Sequence, residues 1–533
     1  MFLSLSRCLA SLALCLLALG AAAAQPPNIL LITVDDMNAD SVGVFGSAVA
    51  GTTPSIDRLA AQGMRFELAH VQVANCMPSR NVMLSGRYPH SNGIEGFDHL
   101  AAVDYPTLPE LLAARGYYTA ILGKVNHATP YMPYPWDRVL DEVPEIAGRE
   151  RYHKDPQSYA LGVETGIEEA AQQGRPFLLL INVSDPHVPL YGYDRRGRPA
   201  KDPHTPSHVF APGEIVVPGY LPDDPVVREE VSRYYSAVRR ADDAVGRILG
   251  VLEKTGVDRH TLVLFLSDHG MPLPFSKTQL YHHSTRTPLI MRWPGVIAPR
   301  RVDDSHMVSA VDILPTLLES LGEPLPQGLQ GRSFYGLLGG DEQAGRDSVF
   351  KVYNENGSGT RTPMRAVQTR DYLYIFNPWS DGHRRMHSAT LGTNTFTRMR
   401  ELAQTDPGVA ARVNLLLHRA PEELYDLRID PDCLHNLVNE PDSTRQAQHM
   451  RTLLAGWMRQ TGDPMFATFQ GRSDPAVLQA YMREQNARAQ QQLQARKAAR
   501  EREREEALLR ALEEVQRDVS GAARGGADHG SEP

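Results

Sequence analysis

Cysteine is nearly absent from this chain: there are four in 533 residues, and two of them, Cys8 and Cys15, fall in an apolar N-terminal stretch. That stretch reads as an export signal over residues 1–24, with Arg7 as its positive start, 12–19 as the apolar core and 21–24 as a small-residue cleavage site. Its apolar run is shorter than the ~20 residues a spanning helix needs. Leu14, not a small residue, precedes Cys15, which argues against a lipid anchor. Removal of the signal leaves only Cys76 and Cys433 in an oxidising compartment, periplasmic or extracellular. A disulfide framework is thereby excluded, and one Cys76–Cys433 bridge is the most that pairing could supply. Also missing is any later apolar run long enough to span a bilayer. Positive charge is not in excess either. The net charge of −8 excludes a general binder of polyanions such as nucleic acid, so an anionic substrate must be held by local Arg, Lys and His.

What is present is ordinary for a folded protein: 42% apolar and 22% charged residues. The chain is too long for a single core, so a large domain and a smaller one are expected. Gly 42 and Pro 39 point to many loops. Asn28-Ile29-Leu30-Leu31-Ile32-Thr33-Val34 is a continuous apolar run, as in a strand buried on both faces of a parallel sheet, and it ends in Asp35-Asp36. The pattern returns at 176–183, ending in Ser184-Asp185-Pro186-His187, and at 261–266, ending in Ser267-Asp268-His269-Gly270. A shorter strand at 117–122 leads into Gly123-Lys124-Val125-Asn126-His127. Helical spacing appears at 54–63, 107–115 and 227–255. Alternating strands and helices predict an α/β sandwich around a large, mainly parallel sheet, with polar groups delivered at strand carboxyl ends.

From about residue 345 the pattern changes to short alternating stretches at 364–368, 372–376 and 423–427, which predict a smaller antiparallel sheet. From about Pro475 the chain is rich in Ala, Gln, Arg and Glu, and 488–519 reads as a solvated helical extension, with 521–533 a disordered end. The expected division is a catalytic domain at 25–345, an α+β subdomain at 346–470 and a charged extension at 471–533.

Cys76-Met77-Pro78-Ser79-Arg80, continuing to Leu84-Ser85-Gly86-Arg87, places one cysteine at the mouth of a predicted helix, where free N–H groups and the dipole favour an anion. This spacing resembles the modification motif of the type I sulfatases, formylglycine-dependent members of the alkaline phosphatase superfamily. The likeness covers most of residues 27–465. It implies that Cys76 is converted to formylglycine by a formylglycine-generating or other sulfatase-maturing enzyme, the hydrated aldehyde then acting as nucleophile.

The resemblance assigns the remaining parts. Asp35, Asp36, Asp268, His269 and the modified Cys76 hold a divalent metal; oxygen donors suit Ca2+, with Mg2+ possible, and His269 stands where Asn is frequent in the family. Lys124 and Lys277 bind sulfate oxygens, Arg80 supports the nucleophile, and His127 is the base for sulfate release and His187 the acid for the leaving group, or the two share or exchange these roles. Within the family, the stretch from Asp268 to Phe275, with Lys277-Thr278, is most similar to the N-sulfoglucosamine sulfohydrolases (heparan N-sulfatases). Gly123-Lys124-Val125-Asn126-His127 is also similar to iduronate sulfatases. The implied substrate is a sulfated sugar. The competing readings are a phosphonate or phosphate monoester hydrolase of the same superfamily, and a catalytically silent glycan-binding protein. A homo-oligomer is compatible with the sequence.

Overall fold

The computed structural model describes residues 26–525; the stretch 1–24 read as an export signal and residues 526–533 lie outside them. Its centre is an eight-stranded sheet in the order β5 (Arg138–Val139), β4 (Tyr118–Leu122), β6 (Phe177–Pro186), β1 (Asn28–Asp35), β7 (Thr261–Ser267), β8 (Leu289–Arg292), β2 (Met64–Phe66) and β9 (Arg301–Asp303). Only β8 runs against the others. A two-stranded parallel pair joins β3 (Ala69–His70) to β10 (Val308–Ser309).

The unbroken apolar run of β1 is explained by its two faces. Leu30, Ile32 and Val34 enter one core, which the helices Pro156–Gln172 and Pro225–Thr255 complete with Tyr159, Val163, Val238 and Ile248. Ile29 and Leu31 enter the opposite core, with Met83 and Leu84 of the helix Cys76–Ser85 and with Leu314 and Leu317. Each such side chain contributes about 1.5–3 kcal/mol by leaving water, so the sheet is held from both sides. Asp224 caps the 31-residue helix by accepting from Val226 N, which sets its start just ahead of Pro225.

The smaller sheet is antiparallel, in the order β11 (Ser348–Glu355), β12 (Arg361–Thr369), β13 (Tyr372–Phe376), β14 (Glu422–Asp426). Val352, Val367, Tyr374 and Leu424 on one face pack against Met450, Leu454 and Trp457 of the helix Thr444–Thr461. The α/β architecture with a large mainly parallel sheet and a small antiparallel one agrees with the sequence reading.

The C-terminal segment departs from it. Its helix runs Pro475–Gly525, starting where the composition shifts, ahead of the 488–519 read as helical, and it takes in 521–525, which were expected to be disordered. Nor is its first half merely solvated. Gln485 accepts from Arg361 Nε at 2.8 Å, Arg488 pairs with Glu95 at 3.0 Å, and Arg496 grips both oxygens of Asp98 at 2.6 Å. Composition alone hides this docking, because the anchoring side chains are the same polar types that cover a free helix.

Candidate active site

Four neighbouring strands, β4, β6, β1 and β7, end on the same edge of the sheet, and each is followed by polar groups. Lys124 and His127 follow β4, His187 follows β6, Asp35 and Asp36 close β1, and Asp268 and His269 follow β7. The local backbone is bent to present them. Asp36 (φ 69°), Lys124 (φ 50°) and Thr278 (φ 62°) all adopt left-handed conformations, which cost energy in non-glycine residues and cluster at functional sites. Gly123 (φ 75°) has no such cost, and a Cβ there would meet the Asn182 carbonyl oxygen at 2.4 Å.

Cys76 opens its helix after the extended residue Asn75 and is buried. Its Sγ faces the carboxylate and imidazole groups gathered at the strand ends. It lies 3.3 Å from His269 Nε2 and donates to Asp35 Oδ1 at 3.5 Å. Arg80, one turn on and on the same helix face, is fully enclosed: its guanidinium contacts Asp268 Oδ2 at 2.8 Å and donates to Thr33 Oγ1 at 2.6 Å and Asn182 Oδ1 at 2.5 Å. Ser79 Oγ donates to the Asp268 carbonyl at 2.6 Å, and Asp36 N donates to Asp268 Oδ1 at 3.1 Å. The helix is thus tied to the ends of both β1 and β7.

Lys124 forms an ion pair with Asp35. Lys277 Nζ donates to both oxygens of Asp36 at 2.8 Å. Burial pushes Asp35 up, but Lys124, His187, Arg80 and Lys277 around it together outweigh this and hold it well below the usual carboxylate range. Asp36 goes the other way. Burial, aided by the neighbouring Asp35 charge, raises it to about 7 in spite of Lys277. His269 is pushed down by burial, yet the Asp268 and Asp36 carboxylates outweigh that and bring it up to about 9.

Three carboxylates, an imidazole and residue 76 are thus gathered in one buried pocket, the kind of place a cation site occupies. The donor set agrees: ligand atoms of Asp35, Cys76, Asp268 and His269 lie within 4.8 Å of one another, as do those of Asp35, Asp36, Cys76 and His187. His269 Nδ1 is bonded to the Gly270 carbonyl at 3.0 Å, which directs the Nε2 lone pair of the neutral ring into the cluster. Buried carboxylates with one imidazole fit a divalent cation.

The two remaining histidines line the edge of this centre. His187 Nδ1 is bonded to the Val188 carbonyl at 2.7 Å, leaving Nε2 free, and burial together with Lys277 holds the ring well below its ordinary pKa. His127 packs edge-on against Phe97 at 5.3 Å, and burial with the adjacent Lys124 lowers it to about 3. The structure therefore brings all ten sequence-predicted residues to one sheet edge.

It also adds supporting residues the sequence reading passed over. Thr33 and Asn182 orient Arg80, and Thr33 Oγ1 bonds Asn182 Oδ1 at 2.7 Å. Both are polar positions inside otherwise apolar strands, a signal that could have exposed them. Asp185 is held by Lys154 at 2.7 Å and Arg240 at 2.6 Å, and Lys154 also donates to the His187 carbonyl at 2.6 Å. Lys154 and Arg240 lie on distant helical segments, and nothing local in sequence links them to β6. Cys76 and Cys433 are both free and buried, so no bridge joins them.

Comparison with known proteins adds independent support. The family description "Sulfatase" matches residues 27–323, and "N-sulphoglucosamine sulphohydrolase, C-terminal" matches residues 268–381. The chain is 30% identical to human N-sulphoglucosamine sulphohydrolase, over 84% of this chain and 93% of that protein. It is 26% identical to an ulvan-active sulfatase of Formosa agariphila, over 82% and 76%. A solved protein in complex with its substrate D-glucosamine-2-N,6-O-disulfate shares the fold, with a TM-score of 0.60 over 83% of this chain and 99% of that one, at 18% identity. Identity and coverage on this scale, together with a motif cysteine set among these carboxylates, make the chain a member of the sulfatase family, an enzyme that hydrolyses sulfate esters or sulfamates.

Proposed function

We propose that this sulfatase acts on sulfated sugars, with the N-sulfoglucosamine unit of heparan-type glycans as its substrate, and that it works outside the cytoplasm after Cys76 has been converted to formylglycine by a maturing enzyme. The observation that carries the reading is the enclosure of Cys76 Sγ by Asp35, Asp268 and His269, with His187 and two lysines at its rim. The substrate class is supported by the relationship to the human N-sulphoglucosamine sulphohydrolase, which spans almost all of that protein. Export is supported by the apolar segment 1–24, and among the described residues no helix is long and apolar enough to cross a membrane. Domain limits at 345 and 470 are supported by the start of β11 at Ser348 and of the last helix at Pro475.

Asp35, Asp36, Asp268 and His269 would hold a Ca2+ ion, with Mg2+ as the alternative. Bound there, the ion and the converted Cys76 supply sulfate polarisation and a diol nucleophile. Everything else is done by the chain. Arg80 is fixed by Asp268, Thr33 and Asn182, so its charge backs residue 76 without moving. Lys124 and Lys277 are single point charges on long stems, able to turn from Asp35 and Asp36 to the oxygens of an arriving sulfate. Burial, with the two lysines facing it, keeps His187 neutral; the negative charge of an arriving sulfate favours proton uptake from solvent at Nε2, which then gives that proton to the departing oxygen or nitrogen. His127 is neutral as well and can take up the proton lost when sulfate is released.

Mass spectrometry of the peptide containing residue 76, from protein made with a maturing enzyme, is expected to find aldehyde in place of thiol. Sulfate release should be faster from N-sulfoglucosamine than from 6-O-sulfated glucosamine, and negligible phosphate should come from matched phosphate esters. A preference for phosphate or phosphonate esters would replace this reading with the monoester hydrolase. Aldehyde-bearing protein that binds the sugar without turnover would make it a binding protein.

A further inference from the structure

A cavity of about 280 Å3 opens beside the reaction centre, with His187 and Lys277 forming one wall. The rest is built by the loop after β6, through Pro189, Tyr193, Arg195 and Arg196, and by Glu230 and Thr393. At roughly 30 Å3 per water, the space takes about nine waters, enough for one sugar ring with a substituent but not for a length of glycan. Because it shares His187 and Lys277 with the centre, it adjoins the position a sugar would take with its sulfur at Cys76.

Its charge is lopsided. Asp194 is already committed to the turn and to Arg198: it accepts from Arg196 N at 2.8 Å, from Arg198 N at 3.0 Å and from the Arg198 guanidinium at 2.7 and 2.9 Å. Arg198 holds it at about 2, firmly ionised. Glu230 is spent at the start of the helix Asn394–Leu402, accepting from Asn394 N at 3.1 Å and Thr395 N at 2.6 Å. The guanidinium groups of Arg195 and Arg196, by contrast, have no carboxylate or hydrogen-bond partner among the described residues. Two unpaired forks therefore face a cavity whose acids are occupied, while Tyr193, buried against Arg233 at 5.7 Å, fixes the loop that carries them.

We propose that this cavity is a subsite for a second anionic group on the substrate, recognised by Arg195 and Arg196 while the first sulfate is processed at residue 76. Guanidinium binds sulfate and carboxylate alike in two-point fashion. The second anion is therefore either another sulfate on the same sugar or the carboxylate of an adjoining uronic acid. The inference rests on the reading that the substrate is a sulfated sugar, and it specifies that the favoured form carries more than one charge.

The test compares three substrates on the mature enzyme: N-sulfoglucosamine, glucosamine bearing N- and 6-O-sulfates, and an N-sulfoglucosamine–uronic acid disaccharide. One or both doubly charged compounds should show a KM lower by roughly tenfold or more, as expected for charge-assisted hydrogen bonds. Combined Arg195→Ala and Arg196→Ala should erase that advantage and leave kcat/KM for N-sulfoglucosamine within about twofold; both residues are exposed, so folding is not at stake. Which doubly charged compound loses its advantage tells sulfate from carboxylate. No advantage in the unaltered enzyme, or an advantage that survives in the double variant, overturns the subsite. Calorimetric binding of the same compounds to the Cys76→Ala full chain separates the two ideas. An arginine-dependent preference without hydrolysis of N-sulfoglucosamine keeps the subsite and rejects the substrate reading, whereas hydrolysis without the preference does the reverse.

Discussion

Lys277 Nζ stands 2.8 Å from each carboxylate oxygen of Asp36, so an ammonium at the rim of the reaction centre rests on a carboxylate of the cation pocket until an anion arrives. Lys277→Ala is expected to lower kcat/KM by roughly 100- to 1000-fold, the loss typical of one donor to a transition-state oxygen, with metal content retained. Lys277→Arg should recover only part of this, because a planar fork cannot replace a point charge in an enclosed site. Steady-state kinetics with metal analysis of both proteins checks the pair; alanine at wild-type rates would remove Lys277 from the mechanism.

Cys76→Ala should abolish turnover and leave the fold standing. Every residue of the helix Cys76–Ser85 is buried, but the Cys76 side chain faces carboxylates and imidazole and not the apolar cores. A thermal melt within a few degrees of the parent, with sulfate release at background, is the expected result.

Asp268→Ala should be worse for stability than for any other ligand position. It removes the close partner of Arg80, whose side chain is wholly enclosed and whose next carboxylate, Asp35, is 3.9 Å away, and breaking a buried pair costs about 3–5 kcal/mol. Metal content and activity should fall together. Unchanged metal content would show that the cation sits elsewhere.

Asp185 offers a pH test away from the cation pocket. Burial pushes it up, but Arg240 and Lys154 outweigh that and hold it below the usual carboxylate range. A lowered folded-state pKa stabilises the protein fully above the unfolded value near 4, and the gain is lost as pH falls through the folded value. Asp185→Asn should therefore cost about 3–5 kcal/mol at pH 7, leaving Lys154 without a carboxylate and Arg240 with Asp202 alone, and progressively less below about pH 4. Denaturant melts from pH 7 to pH 3 measure the narrowing gap.

Much of this organisation is legible in the sequence, for a physical reason. A strand buried on two faces must be apolar throughout, so the polar residues that end Asn28–Asp35, Phe177–Pro186 and Thr261–Ser267 stand out at once. What is not legible are contacts between segments far apart in the chain. Lys154 and Arg240 converge on Asp185 from two helical segments, and Asn182 reaches Arg80 across 102 positions. The terminal helix shows the same limit: its Gln and Arg residues look like solvent-facing ones until Asp98 and Glu95 are seen opposite them.

That helix also gives the molecule a birth order. Arg496 fastens Asp98 across 398 positions, next to the Phe97 that packs on His127, and it reaches Glu355 at 3.3 Å, whose carbonyl accepts from the Asn75 side chain beside Cys76. At about 5–20 residues per second, synthesis separates the two partners by roughly 20–80 s. The rim around residue 76 is accordingly the last part of the chain to be closed, long after the cysteine itself has emerged.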